Sequence, residues 1–237
     1  MFRRICCLAL GAGLAAPTLA QEASTWDVGG EAELGVVATT GQTQSRSLNS
    51  ALRADARRDD WTHTARYKGV RVSSEEAVST ERYMGELRSA YQFTPRTGAF
   101  LNVRYDRDRF GAYRYRVSET AGLTWNVVRR TDTTLQLEAG AGARQSALRT
   151  GGTEREAILR GAARFMHRFN PSAVFNQDLI VEAGEDNTVT ESVSALRFDV
   201  IGNLATKLSY TVRYTSPVPE GFASTDTISA VTLVYGF

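Results

Sequence analysis

Val231, Leu233, Tyr235 and Phe237 fall at every second position of the last seven residues, and the chain stops on an aromatic ring. Alternate side chains of a β-strand point to opposite faces, so this segment reads as a strand with one wholly apolar face. Such a face points either into the core of a soluble sandwich or into lipid on the wall of a membrane barrel. The same period of two runs through the chain. It predicts twelve strands, at about 26–38, 44–57, 61–72, 81–93, 98–109, 115–128, 133–145, 154–169, 172–183, 188–201, 205–215 and 227–237. The fifth, for example, sets Leu101, Val103 and Tyr105 against Asn102, Arg104, Asp106 and Asp108.

The connections favour the barrel. Those after even-numbered strands are short turns, at 58–60, 94–97, 129–132, 170–171 and 202–203, whereas those after strands three, seven and eleven read as longer and polar. An even strand count with short turns on one side and longer loops on the other is the pattern of an up-and-down transmembrane barrel. Aromatic residues gather near the strand ends. Trp26, Trp61, Phe93, Phe100, Trp125 and Phe169 lie by the short turns, and Tyr83, Tyr105, Phe110, Tyr113 and Tyr214 by the other ends. Two such clusters resemble interfacial girdles.

The N-terminus reads as a secretory signal peptide over 1–20: Arg3 and Arg4, an apolar stretch over 5–16, then Pro17 to a small residue at Ala20. A short periplasmic lead (21–25) follows, then one domain over 26–237. Both cysteines, Cys6 and Cys7, fall inside the signal, so the mature chain needs a source of stability other than a disulfide, and closure of a barrel in lipid supplies one. Cleavage also removes two of the 28 basic residues and none of the 26 acidic ones. The resulting zero net charge argues against a nucleic-acid partner, which requires a basic excess. No run of 18 apolar residues follows the signal, so a membrane-spanning helix is not expected.

With the strands laid out, residues 35–43, 105–110, 122–125 and 137–142 resemble the YdiY-type family, whose members are commonly labelled salt-induced outer-membrane proteins. The resemblance implies an outer-membrane β-barrel with a salt or stress role, and it carries no catalytic residues to transfer.

Inward-facing candidates are Glu31, Glu33, Arg53, Asp55, Arg57, Arg66, Lys68, Glu86, Arg88, Arg104, Asp106, Asp108, Glu138, Arg144, Arg160, Arg164, Arg168, Arg197, Asp199 and Arg213. Such a lumen either fills with an ionic network or forms a narrow pore, whose Arg-rich wall on strands eight to eleven would favour anions. Asp106, Asp108 and Glu138 form a candidate cation site, although Arg104 and Arg144 beside them point instead to salt bridges. His63 and His167, the only histidines, sit in no recognisable catalytic motif, so no catalytic residue, metal or cofactor is expected. Phe237 with Tyr235 resembles the terminal signal read by the outer-membrane assembly machinery. The expectation is therefore an all-β, twelve-stranded antiparallel barrel in the bacterial outer membrane. Its partners are outer-membrane lipid, the assembly machinery and periplasmic chaperones. Its role is that of a narrow passive channel or envelope-supporting barrel; the alternatives are an outer-membrane enzyme acting on lipid or lipid A, or a non-conducting structural or adhesive barrel.

Overall fold

The structure, a computed structural model, describes residues 25–39, 45–74 and 77–237. The predicted signal peptide, all but the last residue of the lead, and the turn residues 40–43 lie outside the described residues. The strands are β1 (Asp27–Thr39), β2 (Ser45–Arg58), β3 (Trp61–Ser74), β4 (Ala77–Gln92), β5 (Thr97–Asp108) and β6 (Tyr113–Arg129). They continue as β7 (Thr133–Leu148), β8 (Thr153–Asn170), β9 (Ala173–Gly184), β10 (Thr188–Ile201), β11 (Leu204–Ser216) and β12 (Thr225–Gly236). Each pairs antiparallel with its sequence neighbours, and β12 returns to β1 to close the barrel.

The closing ladder joins Glu31, Ala32, Glu33 and Leu34 to Gly236, Tyr235, Val234 and Leu233. Below it, Gly30 and Phe237 exchange two backbone hydrogen bonds of 2.9 and 3.0 Å. The Phe237 ring lies across Gly30. A β-carbon there would stand 2.7 Å from Phe237 Cζ and 2.5 Å from the Arg53 carbonyl oxygen, so only glycine lets the terminal ring cover the seam. Glycine also matters where β6 and β7 approach closely. A β-carbon on Gly142 would stand 1.9 Å from the Glu119 carbonyl oxygen, and one on Gly122 would stand 2.2 Å from that of Ala139. Side-chain-free positions of this kind let a sheet bend sharply.

Burial is inverted relative to a soluble protein. Glu86, Arg88, Arg104, Glu138, Arg144 and Arg160 are buried, while Leu34, Leu52, Leu87, Leu101, Leu159, Leu208, Val231 and Leu233 are exposed on the outside. A sandwich would bury the second set and solvate the first. The sandwich alternative therefore falls.

Trp26, Trp61, Phe93, Trp125 and Phe169 are exposed at the end that carries the short turns and the C-terminus, here called the turn end. Two residues assigned to the girdles leave them. Phe100 is buried inside the barrel beneath Arg88, because it shares the inward parity of Asn102 and Arg104. Tyr113 turns inward at the opposite, loop end, where its hydroxyl meets Asn187. The loops are shorter than expected. β4 begins at Ala77 and β7 runs to Leu148, since Ser and Thr extend a ladder even where they do not alternate. The longest described loop is 217–224.

Candidate functional site

Two cavities divide the lumen. The turn-end half is a vestibule of about 1250 Å³ and the loop end holds a pocket of about 210 Å³. Between them a gap of only about 10 Å³, bordered by Arg104, Arg116, Arg144, Glu182, Glu191 and Arg213, remains. That is roughly the space of a single water. The barrel is hollow at both ends and shut in the middle.

A charged septum shuts it, and its groups come from strands far apart around the wall. Arg104 on β5 holds Asp106 at 2.8 Å and reaches Glu191 on β10 at 2.7 Å, and Arg213 on β11 comes back to Asp106 at 3.0 Å. Below this ring, Glu138 on β7 is fully enclosed. It accepts from Arg88 on β4 at 2.5 Å and from Arg164 on β8, with Arg160 at 3.9 Å. The Arg88 guanidinium also lies 4.3 Å over the Phe100 ring. Arg160 binds Glu182 at 2.6 Å, Arg144 binds Glu156 at 2.7 Å, and Arg66 binds Glu86 at 3.3 Å. In so enclosed a setting, loss of one partner costs about 3–5 kcal/mol because the other charge is left uncompensated.

The remaining candidates lie towards the ends. At the loop end Arg82 bridges Asp108 at 2.5 Å and Asp226 at 2.8 Å. In the vestibule Arg197 binds Glu31 and Asp199, Lys207 binds Glu33, and Arg53 binds Asp55, which also accepts from Thr64. Glu31, Glu33, Arg53, Asp55, Arg57, Arg66, Lys68, Arg164, Arg168, Arg197 and Asp199 all line this cavity. Asp106, Asp108 and Glu138 do not form one cation-binding cluster: each is taken up by arginine.

The expected anion-favouring wall of β8 to β11 needs correction. Arg160, Arg197 and Arg213 pair with Glu182, Glu31 and Asp106, and Arg164 shares Glu138 with Arg88. Apart from Arg168 on β8, the excess positive charge lies elsewhere. Ten basic side chains against five carboxylates line the vestibule. Among the described residues Arg57, Lys68, Arg129, Arg130 and Arg168 have no carboxylate within 4 Å. Arg57, Lys68 and Arg168 are among the inward-facing candidates, whereas Arg129 and Arg130 read from sequence as part of the turn 129–132.

Sequence reading missed Glu182, Glu191, Arg116 and Asn187. Glu191 hides because its strand also points Ser192 and Ser194 outward, where both bond Gln177, so polar residues occupy both faces and no alternation marks the inner one. Asn187 lies in the connection 185–187, which tucks inward: its carbonyl accepts from Arg144 at 2.6 Å and its side chain meets Arg116 and Tyr113.

The two histidines have one environment twice over. His63 Nδ1 is 2.8 Å from Ser89 Oγ, and His167 Nδ1 is 2.9 Å from Thr133 Oγ1, each hydroxyl being the cross-strand partner. His63 packs between Trp26 and Trp61, and His167 between Phe165 and Phe169. A hydroxyl, an imidazole and flanking rings form an interfacial anchor, and no orienting carboxylate completes either pair among the described contacts.

A closed antiparallel barrel with an apolar outer wall and a charged, partitioned lumen has the architecture of outer-membrane barrels. The family model described as "Protein of unknown function, DUF481" matches residues 32–237, and the chain belongs to that family. The curated relative "Uncharacterized protein YdiY" of Escherichia coli (strain K12) is 26% identical over 212 residues, covering 88% of this chain and 82% of its own length. The resemblance to the YdiY-type family therefore holds. Among solved structures, the COG4313 outer membrane channel from Pseudomonas putida F1 superposes with a TM-score of 0.52 at 10% identity, covering 90% of this chain and 96% of that one. The translocator domain of the autotransporter NalP from Neisseria meningitidis gives 0.48 at 11% identity, covering 92% and 90%.

Proposed function

We propose that this protein is a narrow passive channel of the bacterial outer membrane, selective for small anions and held at low conductance by its ionic septum. The observation that carries this reading is the uneven filling of the lumen. A barrel that served only to support the envelope would gain from packing its interior along the whole length. Here about 1250 Å³ is left open, lined by ten basic and five acidic side chains, and a cation-lined wall of this kind favours anions. Both chain termini of the barrel belong at the periplasmic end, so the vestibule faces the periplasm and the small pocket faces outward. Outer-membrane lipid is the partner of the apolar wall. The terminal Tyr235 and Phe237 are the signal for the assembly machinery after delivery by periplasmic chaperones.

Planar-bilayer recording of the refolded barrel tests the channel. The wild type should give small, rare openings, and a barrel carrying Arg104→Ser with Glu191→Ser should conduct steadily with an anion-selective reversal potential. Silence from both would leave the non-conducting structural barrel as the better account. The salt-stress role implied by the family resemblance is a separate matter, read from growth of a deletion strain at high salt. We assign no enzymatic activity; hydrolysis of lipid or lipid A that vanishes in His63→Ala would reverse that assignment.

A further inference from the structure

We propose that the loop-end pocket is a binding site for a small aromatic monocarboxylate, anchored by Arg116. Arg116 stands at the roof of the septum, lining both the 210 Å³ pocket and the narrow gap beneath it. Only 5% of it is exposed, yet it has no carboxylate within ion-pair distance among the described residues. Its neighbours in the septum are all neutralised: Arg144 by Glu156, Arg104 and Arg213 by Asp106 and Glu191. One of its five N–H donors goes to the neutral Asn187 Oδ1 at 3.2 Å, and its Nε has no partner at all. A buried cation left in this state is costly unless an anion joins it.

The surroundings define the anion. One face of the guanidinium is covered by the Tyr113 ring at 3.6 Å, which leaves its edge to donate. An edge-on guanidinium matches a carboxylate through two parallel hydrogen bonds. Beyond it Phe110 and Phe222 line the pocket and offer a flat apolar group a place to pack. Glu154 acts on Arg116 from beyond ion-pair distance, and its own Oε2 is buried without a hydrogen bond, so it opposes the ligand. Binding here requires no passage through the septum. It would stand in a barrel that never conducts, and its failure would leave the channel reading untouched.

Isothermal titration of benzoate into the refolded barrel in detergent is the test, with neutral benzamide as the comparison. Benzoate should bind, and benzamide should bind about tenfold or more weakly, as loss of a charge-assisted hydrogen bond implies. Arg116→Gln should weaken benzoate by a similar factor, and Glu154→Gln should tighten it. Should Arg116→Gln fail to fold, Phe222→Ala in the loop outside the septum takes its place and should weaken benzoate severalfold. Absence of benzoate binding, equal affinity for benzamide, or unchanged affinity in Arg116→Gln or Phe222→Ala would overturn the proposal.

Discussion

Glu138 shows at the scale of one residue how this molecule departs from a soluble protein. Its carboxylate is wholly enclosed and shared among Arg88, Arg160 and Arg164. Removing it leaves Arg88 and Arg164 without a carboxylate and Arg160 with Glu182 alone. Glu138→Ala should lower unfolding stability by about 3–5 kcal/mol, read as the urea midpoint of the barrel in detergent. A vestibule pair such as Lys207 with Glu33, open to water on one side, should cost no more than about 1 kcal/mol when Glu33 becomes Gln. Equal effects at the two sites would contradict the division of the lumen into a dry septum and a wet vestibule. That Glu138 faces inward was legible in its alternation with Leu137 and Ala139. Its partners Arg160 and Arg164 lie diagonally on the neighbouring strand β8, but Arg88 was not legible, because it lies three strands away on β4 and nothing local encodes barrel curvature.

At the scale of elements, the seam between β1 and β12 has the most specific requirements. Its ladder is short, and the reciprocal Gly30–Phe237 pair ends it. Gly30→Val would push a side chain into the Arg53 carbonyl and the Phe237 ring, and should cost about 1–3 kcal/mol, measured as a lower temperature for loss of heat-modifiable migration. Deleting Phe237 should instead impair insertion in cells far more than it weakens the refolded barrel. A deletion that inserts normally would sink the assembly-signal reading. All twelve strands were legible, since a half-lipid, half-lumen wall repeats one pattern along most of their length. What escaped notice were places where the pattern lapses for a structural reason: the polar outer face of β10 around Ser192 and Ser194, the inward-folded connection at Asn187, and the inner aromatic Phe100, whose apolar ring imitates a girdle residue. The close approach at Gly142 was also invisible, because glycine carries no facing information. Gly142→Ala should destabilise the β6–β7 pairing, again by about 1–3 kcal/mol, seen as faster backbone amide exchange there than in β2–β3.

At the scale of the whole molecule, a charged septum separates a loop-end pocket from a turn-end vestibule, which the proposed function places outside the cell and in the periplasm. Residues 8–237 contain no cysteine, which lends the barrel to a direct measurement. Thr215→Cys places a thiol in the outer pocket and Asn176→Cys places one in the vestibule. A small membrane-impermeant thiol reagent added to intact cells should label Thr215→Cys quickly and Asn176→Cys hardly at all. Adding Arg104→Ser with Glu191→Ser to the Asn176→Cys barrel should open the vestibule to the same reagent. Rapid labelling of Asn176→Cys with the septum intact would contradict the account.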